Sequence, residues 1–490
     1  MPRFRPVVTS AALLATTLSG ALLGVGPVAR AAPLEAVVAA PATCAYGPNS
    51  RFVVLFGPGT AETDAVAEIG AACGETTVYY PEIAVAVATS RDQEFVDRLG
   101  LDRAFSAHRI PARRTAEVGR TSSSAVTTDP ARVPAADRTA EQWDMTMIGA
   151  PAAHRVSRGS PDVLVGVLDA GIDASHPDLA AAVDAAASAG CLTGRADTSP
   201  QAWLPTRSSH GTHVAGIIAA ADDRVGITGV APEVRIASVK VVDDDGRITP
   251  EAAVCGLMWA AAHRMAVTNN SYVVDPWLLT CSRNEGERVV YEAVRRAVDH
   301  ATARGVLTVA AASNEGADLA NPRGQASGTA DGGGDRRSLG GACRVLPAGL
   351  RDVVAVSSVG PDQVKAGYSA YGLGVIDVAA PGGERARGSA RPDSGCVLST
   401  VPNGYGRSCG TSMATPHVTG VAALLKSANP SATPKQLTRM LTSQASGLAC
   451  PADYDLNGTG AQDAFCSGYQ GYNGFYGHGL VDALTAVADR

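Results

Sequence analysis

Short, mostly apolar runs separated by helix-like stretches recur along the middle of this chain. Val163-Leu164-Val165-Gly166-Val167-Leu168 is the purest of them. Arg235–Val242, Ala266–Ser271, Val306–Ala311 and Val353–Ser358 follow, with helical patterns near 211–220, 250–263 and 286–304. A half-wet antiparallel strand alternates apolar and polar residues, whereas a strand covered on both faces stays apolar throughout. Such runs alternating with helices predict an α/β domain, a mainly parallel sheet with a helical layer on each side. In sheets of this kind, functional groups gather at the carboxyl ends of the strands. Asp169 and Asn314 lie just past two of those ends.

Three segments in fixed order sharpen this frame: Asp169-Ala170-Gly171-Ile172-Asp173, His210-Gly211-Thr212-His213-Val214-Ala215-Gly216, and Gly410-Thr411-Ser412-Met413-Ala414-Thr415-Pro416. A serine hydroxyl is a weak nucleophile near neutral pH unless a positioned imidazole takes its proton. The imidazole in turn needs a carboxylate to fix its tautomer and stabilise its charged form. The order Asp, His, Ser is that of the subtilisin type. From about Trp143 to the C-terminus the chain resembles the subtilisin-like serine peptidases (subtilases). The resemblance implies a three-layer catalytic domain in which Ser412 is the nucleophile, His210 the general base and Asp169 its orienting partner.

The chain departs from the family at several positions. Ala170 stands where subtilases usually carry Ser or Thr. Asp173 is the rival carboxylate, but the strand-then-turn placement favours Asp169. His213 and His417 are expected to be packed residues, since the zinc-peptidase His-Glu-x-x-His pattern is missing and Gly211 holds the Glu position. Asn314, in Ala312-Ser313-Asn314-Glu315-Gly316, resembles the amide that completes the oxyanion hole, and Ser313 replaces a frequent Gly. Ser271, Tyr272 and Val273 match the substrate-pairing strand, with Val273 in place of a glycine beside the primary pocket. Asp178 and Asp223 match positions of a subtilase calcium cage, oxygen donors on a loop that suit Ca²⁺. No cofactor is expected for catalysis.

At 490 residues the chain has room for a large core and a second unit. Arg3 and Arg5, the apolar stretch Val7–Val25 and Ala29-Arg30-Ala31 read as an export signal over 1–31. Residues 32–110 carry a β-α-β-β-α-β pattern, the order of a small α+β ferredoxin-like unit. Within it Arg51–Phe56 and Ala104–Ile110 are expected strands, and Ala61–Cys73 and Asp92–Leu99 expected helices. By position this matches the propeptide that subtilases use as a folding aid and inhibitor. A Ser-, Thr- and Pro-rich linker over 111–141 is expected to be cut, leaving 142–490 as the catalytic domain. Gly324–Gly341 is a Gly-rich insertion.

Ten cysteines without a Cys-x-x-Cys pair indicate disulfides and an oxidising destination. Cys396 with Cys409, flanking the turn Pro402-Asn403-Gly404, and Cys450 with Cys466 are the expected local pairs; Cys44 with Cys73 would be local to the leader. A net charge of −6 without basic runs points away from nucleic acid. No later stretch has the length of a membrane span. The expectation is a secreted, monomeric, self-processing endopeptidase acting on protein or peptide substrates. A peptide ligase or cyclase using the same site, and a silent binding module on the same fold, are the alternatives.

Overall fold

The computed structural model describes residues 44–45, 47–110, 136–322, 342–385 and 395–488. The expected signal, most of the linker and the Gly-rich insertion lie outside the described residues. The main sheet has seven strands in the order Val378–Pro381, Val353–Val359, Leu307–Ala311, Val267–Asn270, Leu164–Asp169, Arg235–Lys240 and Ala189–Gly190. Every pairing between them is parallel. The five apolar runs supply its five inner strands, within a residue or two at each end.

Side chains alternate across the pleat. Leu164 and Leu168 face one apolar core together with the helices Pro250–Ala262 and Glu287–Ala303. Val165 and Val167 face the other, with the helices His210–Ala219, Thr411–Ala428 and Pro434–Ser443. This is the expected three-layer α/β arrangement. The first strand of the domain, Leu164–Asp169, is central. The chain leaves it toward Arg235–Lys240 on one side and then returns to Val267–Asn270 on the other. That reversal of direction opens a crevice beyond its carboxyl end.

Residues 50–105 form a separate four-stranded sheet. Its strands run in the order Gly74–Tyr80, Val85–Ser90, Ser50–Leu55, Ala104–Phe105, and all pairs are antiparallel. The helices Glu62–Ala71 and Phe95–Leu99 cover one face. Two elements are shorter than their patterns suggest. The helix expected from Asp92 starts at Phe95, because the Asp92 carboxylate is used to hold the Ala45 and Glu94 N–H groups at 3.0 and 2.8 Å. The last strand stops at Phe105 and gives way to a 3₁₀ turn, Ala107–Arg109. There the His108 ring meets Glu251 at 2.9 Å.

The uncovered face of this small sheet carries Val53, Leu55, Val85 and Phe105 into the same apolar core as the helices Pro250–Ala262 and Glu287–Ala303. Polar ties surround the contact. Arg296 donates to the Phe56, Ile83 and Ala84 carbonyls at 3.0–3.3 Å. Tyr80 donates its hydroxyl proton to Gly194 O at 2.7 Å.

All ten cysteines are paired. The three expected bonds form, Cys44–Cys73, Cys396–Cys409 and Cys450–Cys466. Cys191–Cys255 and Cys281–Cys343 complete the set across 64 and 62 residues. No helix among the described residues is long and apolar enough to cross a membrane.

Candidate active site

Asp169 ends the central strand, almost completely buried, and its Oδ1 accepts the Ala170 N–H at 2.7 Å. His210 opens the helix His210–Ala219 at the mouth of the crevice. Its Nδ1 lies 2.8 Å from Asp169 Oδ1 and 2.9 Å from Oδ2. The helix can begin this close to the strand because Gly211 has no side chain. A Cβ there would lie 2.4 Å from Gly171 O and 3.2 Å from the Asp169 Cβ. Burial disfavours charge on the His210 ring, but the Asp169 carboxylate, through its charge and its hydrogen bond, outweighs this and raises the pKa. About a third of the His210 side chain, 34 %, stays exposed.

The rival Asp173 is used elsewhere: its Oδ1 takes the Ser175 N–H and hydroxyl at 3.0 and 2.6 Å. His213 is buried against Gly406 O at 3.1 Å, and burial, reinforced by the His210 charge, pushes its pKa down to about 3. It is therefore a neutral packing residue. His417 is fully buried between Met413 O, at 2.8 Å, and Asp144 Oδ2, at 3.1 Å.

Ser412 is the second residue of the helix Thr411–Ala428, where unpaired backbone N–H groups and the helix dipole favour negative charge. Its hydroxyl donates to Ser271 O at 3.2 Å, and its own carbonyl accepts the Ser271 hydroxyl at 2.9 Å. Asn314 follows the strand Leu307–Ala311. Its Oδ1 accepts both the Thr411 N–H, at 2.9 Å, and the Thr411 hydroxyl, at 2.7 Å. With the oxygen held this way, the amide nitrogen is the end left for an incoming oxyanion.

Two buried asparagines stiffen the strand that faces Ser412. Asn269 donates its amide to Ser271 Oγ at 2.9 Å and accepts the Thr419 hydroxyl at 3.0 Å. Asn270 accepts the Tyr272 hydroxyl at 2.9 Å, so the Tyr272 ring is turned inward. The next backbone N–H groups are already committed, Val274 to Leu346 O at 3.0 Å and Asp275 to Ile248 O at 2.9 Å. The orienting role of Thr411 and the Asn269–Asn270 bracing are absent from the sequence reading. The pair Asn269-Asn270 inside a strand pattern, polar where burial is expected, is the signal that could have exposed the second.

Comparison with known proteins identifies the family. The profile of the subtilase family matches residues 160–479. The chain belongs to the subtilase family. Subtilisin NAT of Bacillus subtilis subsp. natto is 32% identical over 348 residues, 70% of this chain and 71% of that protein. M-protease of Shouchella clausii (strain KSM-K16) is 34% identical over 346 residues, 70% and 69% of the two chains. Among solved structures, the epidermin leader peptide processing serine protease of Staphylococcus aureus superposes with a TM-score of 0.67. It has 20% identity and covers 90% of this chain and 99% of its own, a likeness of fold. A lanthipeptide protease superposes at 0.54 with 25% identity over 71% of this chain and 94% of its own. This subtilase is thus a serine-type peptidase, of a family whose substrates are proteins and peptides.

The subtilase calcium positions are arranged differently from a cage. Asp178 is buried, and its two oxygens already accept the Tyr405 hydroxyl, at 2.9 Å, and the Ile227 N–H, at 3.2 Å. The Tyr405 hydroxyl lies where a Cβ on Gly226 would come within 1.9 Å of it, so the phenol fills the space over the loop. Asp223 turns its carboxylate to the Val225 N–H at 2.9 Å. An ion between Asp178 and Asp223 would first have to displace Tyr405, and this donor set does not fit a bound Ca²⁺.

Proposed function

We propose that this subtilase is a secreted endopeptidase, made as a self-processing zymogen, that cleaves peptide bonds through Asp169, His210 and Ser412. The observation that carries the reading is the buried Asp169 carboxylate gripping His210 Nδ1 with both oxygens. That contact fixes a proton on Nδ1 and leaves Nε2 as the base. Ser412 turns from Ser271 O toward His210, gives its proton to Nε2 and attacks the scissile carbonyl. The oxyanion is received by the Asn314 amide and the Ser412 backbone N–H. His210 then passes the proton to the leaving amine, and water releases the acyl group by the same steps in reverse.

Residues 32–110 act as the inhibitory propeptide in this reading. Support comes from the apolar core the small sheet shares with two helices of the catalytic domain and from the ring of polar ties about it. The linker 111–141 is the segment to be cut, the signal directs export, and the released enzyme is a monomer. We assign no structural calcium to Asp178 and Asp223, since the Tyr405 hydroxyl, bonded to Asp178, fills the space over the Gly226 loop.

A fluorophosphonate probe on the secreted full chain, with Ser412→Ala alongside, tests the proposal. The expected result is an adduct at Ser412 on a species trimmed within 111–142, and neither adduct nor trimming in the variant. A folded, trimmed protein that takes no label would overturn it in favour of a binding module.

A further inference from the structure

The first turn of the helix that carries Ser412 lacks part of its own hydrogen bonding. Pro416, inside Thr411–Ala428, has no N–H to offer the carbonyl four residues back, which is that of Ser412. Side chains hold the turn instead. The Ser271 hydroxyl donates to Ser412 O at 2.9 Å, the Thr415 hydroxyl to Thr411 O at 2.8 Å, and His417 Nδ1 to Met413 O at 2.8 Å. The His417 ring is itself held from a remote part of the chain. Its Nε2 lies 3.1 Å from Oδ2 of Asp144, on the short helix Trp143–Met147.

The pair is costly where it stands. Both side chains are fully buried, and Asp144 Oδ1 has no hydrogen-bond partner among the described residues. A buried pair of this kind adds little to stability over apolar side chains of like size, and an unpartnered oxygen adds a cost. What the pair does supply is direction. The contact between Nε2 and Oδ2 needs a proton between them, carried by the ring beside an ionised carboxylate or by a neutral carboxyl. Either form fixes the ring at both ends, and apolar residues would fix neither.

Resting on the peptidase reading above, we propose that Asp144 is a positioning residue for Ser412, acting through His417. The ring holds the Met413 carbonyl, and with it the turn of backbone that carries the Ser412 hydroxyl and the Ser412 N–H. In that reading one of these groups attacks the scissile carbonyl and the other receives its oxygen. A rotation of the turn therefore misplaces both at once.

The test measures cleavage of one peptide by enzyme made from the full chain, with active sites counted by total fluorophosphonate label. Asp144→Leu combined with His417→Phe gives an apolar pair, which keeps the core filled while releasing Met413 O. Turnover per labelled site should fall about ten- to hundred-fold, the size of a lost hydrogen bond to a charged group, with KM within about two-fold of the parent. The initial rate of labelling and the rate of linker cutting should fall with it. Asp144→Ala is read in the same way, so a folding defect in one variant does not decide the result. Asp144→Asn still donates, from Nδ2 to Nε2 of a neutral ring, and should recover turnover to within about three-fold of the parent. Melting in a Ser412→Ala background should show the apolar pair no less stable than the parent. Parent turnover per labelled site in the apolar pair or in Asp144→Ala, a loss carried by KM, or Asp144→Asn as slow as the apolar pair would overturn the assignment. Labelled parent with unaffected variants removes only the role of Asp144, whereas parent that takes no label and cleaves nothing removes the peptidase reading as well.

Discussion

Thr411 offers the sharpest test of how the oxyanion site is held. Its N–H and its hydroxyl both point at Asn314 Oδ1, at 2.9 and 2.7 Å. Thr411→Val keeps the shape and the N–H bond and removes only the hydroxyl bond. A neutral hydrogen bond contributes about 0.5–1.5 kcal/mol net, and about 1.4 kcal/mol is a factor of ten in rate. Turnover should therefore fall about two- to twelve-fold. Because the proposed mechanism has the Asn314 amide meet the substrate oxygen chiefly once charge has developed on it, kcat should carry the loss and KM should hardly move.

Steady-state cleavage of one peptide by the parent, Thr411→Val, Asn314→Ala and the double variant gives the full cycle. Asn314→Ala alone should cost about a hundred- to thousand-fold, the size known for that donor in subtilisin. On that background Thr411→Val should cost nothing further, since there is no amide left to orient. Additive losses, or a loss expressed in KM, would show that Thr411 acts through packing of its fully buried side chain and refute the reasoning.

Three further outcomes follow from other parts of the molecule. Activity should rise with pH as His210 loses its proton, with an inflection above the ordinary histidine value because Asp169 raises that pKa, and Asp169→Asn should lower both the inflection and, by about ten-thousand-fold, the rate. Excess chelator should leave the melting temperature unchanged to within about 1 °C, while Tyr405→Phe should cost about 1 kcal/mol by removing the hydrogen bond to Oδ1 of the buried Asp178; a large chelator effect that Asp178→Asn abolishes would place an ion at Asp178 and refute the reading. Lys365 is buried among Tyr371, Tyr454 and Phe475, and burial pushes its pKa down to about 7. Between that value and the ordinary 10.5 the unfolded chain holds the proton and the folded one does not, so stability should rise with pH across this window. Denaturant unfolding in a Ser412→Ala background should show that rise, and Lys365→Met should flatten it.

What the sequence disclosed, and what it concealed, divides by range. The inner strands were legible because burial on both faces leaves an apolar run with nothing else to be. The edge strands Ala189–Gly190 and Val378–Pro381 were not, since such short segments exist only through pairing with a neighbour. Cys396–Cys409 and Cys450–Cys466 span 13 and 16 residues and could be read locally. Cys191–Cys255 and Cys281–Cys343 close distances that only the folded sheet and its helices set. Asp169, His210, Ser412 and Asn314 are the residues that motif singles out. Their supports are not singled out, because each joins remote positions: Asn314 to Thr411 and Asn269 to Thr419; nor is the pairing of Asp178 with Tyr405, across 227 residues.

The placement of the site groups explains why motif and support behave so differently. Each sits where an element begins or ends: Asp169 at a strand end, His210 and Ser412 in the first turns of their helices, Asn314 just past a strand. Backbone groups are free there, and the central strand's neighbours part there, so a small cluster of residues can meet a substrate without breaking the core. Termini also shift more easily than the elements they end, so the geometry depends on bonds that run between elements. Thr411–Asn314, Asn269–Thr419 and Ser271–Ser412 are such bonds. The apolar cores hold the elements whether or not these bonds form. Their removal should therefore be read in the rate before it is read in the melting temperature.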